Sequence, residues 1–339
     1  MALVAESPTA TSFAEVAADL KASQAHELEA VNEVILDHLS SSVPLIPEVA
    51  SYLIKAGGKR LRPLMTLASG QLCGAPAEKP RLLAAAVELI HAATLLHDDV
   101  VDDSALRRGL KTANIIFGNK ESVLVGDFLF ARAFQLMVKT GSLRVLDVLS
   151  AASCTISEGE VLQLETQAKT ATTKDQYIQV VSAKTAALFA AATQSGAIVG
   201  DAPEPVEDAF YQYGLNFGIA YQLVDDALDY DSATVAIGKT AGDDFREGKM
   251  TLPVILAIAD ARGTEERAFW ERTLGEGVQA EGDFERACDL MARDRVIPRA
   301  LDAAAAYAED AASALSVVSP APLRSQLEDL ARRSVVRRS

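Results

Sequence analysis

Apolar residues recur along this chain at intervals of three and four, the spacing of one face of a helix, and no stretch alternates long enough to form a half-buried strand. Helices are predicted at about 24–40, 45–56, 62–73, 80–104, 112–117, 121–139, 143–168, 174–200, 204–231, 248–260, 264–275, 281–293, 296–316 and 321–337. Gly and Pro punctuate them at Gly57-Gly58, Gly74-Ala75-Pro76, Gly200-Asp201-Ala202-Pro203 and Ser319-Pro320-Ala321-Pro322. There is no low-complexity linker and no shift in composition. The expectation is one all-α domain over residues 21–339, with residues 1–20 a frayed leader. Two of the helices, 80–104 and 204–231, are hydrophobic almost all round and belong at the centre.

Each of these two helices carries one polar stripe. In the first, Glu88, His91, Thr94, Asp98 and Asp102 fall within a band about 120° wide, with Asp99 and Asp103 off the line. In the second, Gly214, Gly218, Gln222, Asp225 and Asp229 lie within about 80° of one another. Two glycines inside a helix cost roughly 1 kcal/mol each relative to Ala, so something should approach closely there. Tight helix packing would explain the glycines alone; the run into the aspartates favours a ligand-lined cavity.

Both stripes end in the same pattern, Asp-Asp-x-x-Asp, at 98–102 and 225–229. Its first and fifth residues stand about 40° apart around the axis and roughly 6 Å along it. Two carboxylates so placed repel by about 3 kcal/mol at an effective dielectric near 20. Flanked by apolar residues, such a pair calls for a cation. Oxygen-only ligands suit Mg²⁺, usually shared with substrate phosphates. One copy alone would read as a solvated helix end; two copies, each ending an apolar helix, point to a metal–phosphate site.

The bulk properties narrow the field. The 339 residues are 49% hydrophobic, enough for a sizeable core, and the net charge of −15 disfavours nucleic acid as a partner. Three widely spaced cysteines, Cys73, Cys154 and Cys288, suit a reduced cytoplasm and form no metal or disulfide pattern. The N-terminus is not a signal peptide, and the most apolar stretch, Leu82 to Leu96, is too short and polar to span a bilayer.

In so acidic a chain, basic clusters stand out. Arg107-Arg108 follows the first motif. Gly57-Gly58-Lys59-Arg60-Leu61-Arg62-Pro63 is a glycine turn leading into a helix N-terminus, which suits phosphate although it is no P-loop. Lys184-Thr185 opens an apolar run, and Lys239 and Lys249 lie in a Gly-rich loop after the second motif. Together they surround two acidic clusters with cations, as a metal-bridged diphosphate requires.

The chain resembles the trans-type polyprenyl diphosphate synthases, in particular their long-chain branch that makes octaprenyl, solanesyl and decaprenyl diphosphates. The matching blocks are GGKRLRP (57–63), ELIHAATLLHDDVVDDSALRRG (88–109), GDFLFARAF (126–134), EGEVLQL (158–164), KTAALF (184–189), YQLVDDALDY (221–230) and GKTAGDDFREGKMTLP (238–253). The resemblance implies the isoprenoid synthase fold, antiparallel helices around a central apolar cavity, and a homodimer. It implies that Asp98, Asp102 and Asp225 bind three Mg²⁺ ions, supported by Asp99 and Asp229. Arg107, Lys184, Thr185, Gln222, Lys239 and Lys249 would hold the allylic diphosphate. Lys59, Arg62, His91 and Arg108 would hold isopentenyl diphosphate. In that chemistry an allylic diphosphate ionises and the isopentenyl double bond attacks its C1.

Product length in this family is gated just before the first motif. Here Ala93 and Thr94 are small, and no insertion interrupts Asp98–Asp102, so an open tunnel and a product of about eight to ten isoprene units are expected, as for a ubiquinone side chain. Phe130, Phe134 and Met137 are candidates for the tunnel floor or for ordinary core. The basic tail Arg332 to Arg338 either closes over isopentenyl diphosphate or caps a helix. Competing readings are a shorter-chain geranylgeranyl or farnesyl diphosphate synthase, a class I terpene cyclase, which would lack the second aspartate cluster and GGKRLRP, and a non-catalytic subunit, which would usually lose one motif. A di-iron bundle is suggested by Glu88-x-x-His91 but finds no second Glu-x-x-His.

Overall fold

The computed structural model describes residues 12–55, 57–107, 109–230 and 242–336. The first element, α1 (Phe13–Ser23), begins earlier than the sequence suggests. Ser12 caps it reciprocally with Glu15: the Ser12 hydroxyl accepts from the Glu15 N–H at 3.3 Å, and the Ser12 N–H donates to Glu15 Oε2 at 2.6 Å. Phe13, Val16 and Leu20 are buried. Residues 13–20 are therefore no frayed leader: the cap fixes the helix start and three apolar side chains dock it.

There follow α2 (Ala25–His38), α3 (Leu45–Lys55), α4 (Leu61–Leu72) and α5 (Glu78–Val101). A two-residue hairpin, β1 (Leu106–Arg107) with β2 (Leu110–Lys111), then turns the chain into α6 (Ala113–Phe117). Strands this short leave no alternation to read, so the hairpin was not foreseen. The bundle continues with α7 (Asn119–Lys139), α8 (Leu143–Thr166), α9 (Lys174–Val181), α10 (Ala187–Val199) and α11 (Glu204–Asp229). Between α9 and α10, the run expected at 174–200 widens into a π-helical turn at Ser182–Ala186. Beyond lie α12 (Asp243–Arg246), α13 (Leu252–Ala259), α14 (Gly263–Trp270), a second π turn (Glu271–Gly275), α15 (Asp283–Arg293), α16 (Val296–Ala314) and α17 (Pro322–Arg333).

The two helices expected at the centre are there. α5 packs between α4, α7 and α10, and α11 packs between α10 and α16. Their polar stripes survive as the half-buried line on otherwise buried helices: Glu88, His91, Thr94 and Asp98 are all partly accessible, while Leu89, Ile90, Ala92, Ala93 and Leu96 are sealed.

The glycines of the second stripe have a different role from the one expected. A Cβ on Gly214 would lie 2.4 Å from the Phe189 carbonyl oxygen, and one on Gly218 would lie 2.6 Å from Ala186 Cα. They let α10 and the π turn sit directly on α11, which is helix packing and not a ligand cavity. Gly159 on α8 does the same for the other side of that turn, where a Cβ would meet the Lys184 backbone nitrogen at 2.7 Å. No helix among the described residues is long and apolar enough to cross a membrane.

Candidate active site

The first motif closes α5. Asp98 stands half-buried at its last turn, and burial raises its pKa to about 7; Lys184 and Arg107 pull it back, while Glu160 and Asp102 push it further up. Asp99 turns the other way. It is buried, and its Oδ1 accepts from Arg107 Nη2 at 2.7 Å and Nε at 2.9 Å. Asn114 donates to the Asp99 backbone carbonyl at 3.1 Å. Asp99 thus anchors the hairpin arginine. Arg108 lies outside the described residues.

The second motif closes α11. Asp225 is exposed at the end of the helix and Asp226 is buried. Asp226 Oδ2 accepts from the Tyr177 hydroxyl at 2.5 Å and its Oδ1 from Gln222 Nε2 at 2.7 Å. Burial raises the Asp226 pKa to about 6 against these two donors. Asp229 receives the backbone N–H groups that open α12, from Gly242 (3.1 Å), Asp243 (3.3 Å) and Asp244 (3.0 Å). It therefore fixes the start of α12; Lys239 lies outside the described residues.

Cations bring the two motifs together. Lys249 Nζ lies 3.6 Å from Asp102 Oδ2 and 2.5 Å from Glu247 Oε2. Burial lowers its pKa, but Glu247, Asp102 and Asp244 outweigh that and hold it above the ordinary lysine value. Lys184, on the π turn, donates to Glu160 Oε2 at 2.7 Å, and Thr185 Oγ1 donates to Gln222 Oε1 at 3.0 Å. Lys184, Thr185, Gln222, Asp226, Asp244 and Lys249 line one cavity of about 130 Å³. A π turn widens the helix by one residue, and such turns are common at functional sites.

A second hollow lies beside the first polar stripe, lined by Leu53, Ile54, Gly57, Arg60, Glu88 and His91. Arg60 takes a left-handed conformation, φ 53°, at the start of α4 and pairs with Glu88. The Arg62 guanidinium lies over Phe189, 4.0 Å from the ring centroid, and its Nη2 reaches the Thr185 carbonyl at 3.4 Å. Burial lowers the Arg62 pKa to about 10.

Of the length-determining candidates, Ala93 is sealed in the core, and Thr94 donates to the His91 carbonyl at 2.9 Å. Phe130 packs on the α5 side, Met137 is fully buried, and Phe134 projects outward at 38% exposure. Phe134 thus forms no floor within this chain. At the C-terminus Arg332 pairs with Glu309 at 2.9 Å, and residues 337–339 lie outside the described residues.

The donor set fits a hard divalent cation. The first motif's carboxylates are oxygen ligands, and Asp98 sits close enough to Asp102 and Glu160 for their charges to raise it. Among the described residues no three Asp, Glu, His or Cys side chains converge as a complete cage. Mg²⁺ commonly completes its shell with water and substrate phosphate.

Three site residues escaped the sequence reading. Glu160, the partner of Lys184, sits in a quoted block without a role. Asp244, whose pKa is pushed well above its usual value by burial and by Asp226 and Asp229, likewise sits in a quoted block without a role. Tyr177 stands seven residues before Lys184, two helical turns along the same face; that spacing was the available signal.

The polyprenyl synthetase family profile matches residues 43–291. The octaprenyl diphosphate synthase of Escherichia coli K12 is 42% identical over 92% of this chain and 96% of its own length. A polyprenyl synthase from Caulobacter crescentus CB15, crystallised with calcium and isoprenyl diphosphate, is 50% identical, covers 95% of this chain and 98% of its own, and superposes with a TM-score of 0.91. A decaprenyl diphosphate synthase structure from Rhodobacter capsulatus also reaches 50% identity and a TM-score of 0.91, over 94% of this chain and 98% of its own.

Proposed function

This chain belongs to the polyprenyl synthetase family and is a prenyltransferase, and from that premise we propose that it is a Mg²⁺-dependent synthase of long all-trans polyprenyl diphosphates, about C40–C50, built from an allylic diphosphate and isopentenyl diphosphate. The observation that carries this reading is the convergence of both acidic helix ends on Lys249, beside a cavity whose walls include Lys184, Thr185 and Gln222. The octaprenyl and decaprenyl relatives support the long product. The calcium-bound relative supports divalent metal use.

In this reading Asp98, Asp102 and Asp225 hold the metal ions, with Asp99 and Asp229 positioning the segments around them. When bound, Mg²⁺ supplies charge stabilisation to the departing diphosphate. Lys184, Thr185, Gln222, Lys249 and, by its place in the motif, Lys239 bind the allylic diphosphate. Arg107, oriented by Asp99, reaches it from the hairpin. Negative charge grows on that group as its C–O bond breaks, and fixed cations favour this state over the intact substrate. The apolar faces of α5, α7 and α10 keep water from the carbocation. Lys59, Arg62, His91 and Arg108 hold isopentenyl diphosphate so that its double bond meets C1. The proton then lost passes to the released diphosphate, so no separate protein base is required.

Ala93 and Thr94 put no bulky side chain in the path of an elongating tail, although Ala93 itself is closely packed. A ubiquinone side chain and a cytoplasmic setting are consistent with such a product and with the cysteine usage. A homodimer is supported by α7 and α8, which expose Leu124 (67%), Val138 (63%), Phe134 (38%) and Leu143 (83%). The three on α7 fall within about 100° of arc. An apolar strip of that kind suits burial against a second copy.

The test is incubation with labelled isopentenyl diphosphate, farnesyl diphosphate and Mg²⁺, followed by product sizing. Products of about eight to ten units are expected. Products stopping at four units would replace this reading with the shorter-chain one. No elongation at all would refute it.

A further inference from the structure

Three cations stand together where α4 begins, and the fold treats them differently. Arg60 meets a carboxylate, that of Glu88. Its neighbours also meet rings. Arg62 lies 4.0 Å from the centroid of Phe189, and its buried Nε has no hydrogen-bond partner among the described residues. The Lys59 ammonium lies 5.5 Å from the centroid of Phe13 and 5.9 Å from that of Tyr221.

These rings form one platform. Tyr221 stands 6.3 Å from Phe13, 6.2 Å from Phe189 and 5.8 Å from Phe217, and Phe189 lies edge-on to Phe217 at 5.2 Å. Phe189 comes from α10, Phe217 and Tyr221 from α11, and Phe13 from the first turn of α1. An aromatic face attracts a cation through its quadrupole. It orients the cation without adding an opposite charge, whereas a carboxylate would neutralise it.

We propose that Phe13, carried on the N-terminal helix, is a positioning residue for the isopentenyl diphosphate site: with Tyr221 it holds the Lys59 ammonium toward the incoming diphosphate, as Phe189 holds the Arg62 guanidinium. The proposal rests on the assignment of Lys59 and Arg62 to that substrate. Helix α1 is then part of the site, and not only a prop for the bundle. Its docking does not depend on Phe13 alone, because Val16 and Leu20 are buried in the same cluster as Leu327, Leu330 and Ala331 of α17.

The test measures binding of isopentenyl diphosphate by calorimetry, with Mg²⁺ and a non-reactive allylic thiolodiphosphate in place, together with steady-state KM and kcat. Phe13→Leu keeps an apolar side chain and removes the ring. It is expected to weaken isopentenyl diphosphate binding about three- to tenfold and raise its KM alike, with kcat and the allylic KM within about twofold. Phe13→Tyr restores binding. In a Lys59→Ala background, Phe13→Leu brings no further loss. An equal loss in that background would overturn the proposal, since the ring would then act through general packing. So would unchanged binding in Phe13→Leu where Lys59→Ala weakens it. If Lys59→Ala itself leaves binding unchanged, the assignment of Lys59 fails first and the proposal with it. Should Phe13→Leu lower the melting temperature, Tyr221→Leu replaces it in the same cycle, with the same pattern expected and the same outcomes decisive.

Discussion

Asp98 makes the metal-free protein sensitive to pH near neutrality. Its carboxyl is raised from 3.8 to about 7, first by burial and then by Glu160 and Asp102, with Lys184 and Arg107 opposing. A folded-state value above the unfolded one means that the folded chain binds the proton more tightly. The stabilisation is present in full at acid pH and is lost as pH rises through 7. At pH 6 it amounts to about 1.4 kcal/mol, and at pH 8 to about 0.1 kcal/mol. With an unfolding entropy of roughly 0.7 kcal/mol/K for a chain of this length, the melting temperature should fall by about 2 °C between the two. Scanning calorimetry in a chelator, comparing wild type with Asp98→Asn, isolates this contribution from other titrating groups. The variant should lack that fall and should match or exceed wild type at pH 8. The same proton competes with metal, so Mg²⁺ should bind wild type about tenfold more weakly at pH 6 than at pH 8. An identical pH slope in wild type and Asp98→Asn would refute the reasoning, because the raised acid would then not be Asp98.

Other outcomes follow from the same geometry. Ala93→Phe and Thr94→Phe should shorten the product seen by reversed-phase sizing; Ala93→Phe should also cost about 1–3 kcal/mol, as its site is already filled. Unchanged length in both would refute the tunnel argument. Gly218→Ala drives a methyl against Ala186 at the base of the π turn and to 3.1 Å from the Phe189 ring that carries Arg62, so it should destabilise the protein by about 1–3 kcal/mol and raise the KM for both substrates. Tyr177→Phe removes a 2.5 Å hydrogen bond from buried Asp226 and should lower stability by about 1–3 kcal/mol in chemical denaturation; a neutral result would mean that water replaces the hydroxyl.

Much of this molecule was legible in its residues, for identifiable reasons. The two central helices were readable because burial on all sides leaves a continuous apolar run, and a polar stripe on such a run has few structural explanations. The acidic helix ends were readable because a fixed four-residue spacing becomes a fixed geometry on a helix. What depends on contacts between distant segments was not. Gly214 and Gly218 look the same in sequence whether they admit a ligand or another helix, and only the position of Phe189 and Ala186 decides. The division of labour between Asp98 and Asp99 depends on where Arg107 returns after a hairpin too short to show a pattern. Helix α1 was missed because its apolar positions are few, and the cap that starts it lies in a stretch rich in small residues.

The contact between α1 and α17 has a consequence for synthesis. Among the described helices the one synthesised earliest docks on the one synthesised latest, where Ser23 Oγ donates to Gln326 Oε1 at 3.1 Å and Leu20 shares a cluster with Leu327 and Leu330. The helix that brings Phe13 to Lys59 therefore completes its docking only once α17 has been made. A nascent chain that has made both acidic helices but not α17 still lacks a finished acceptor pocket, so catalytic competence waits on that helix.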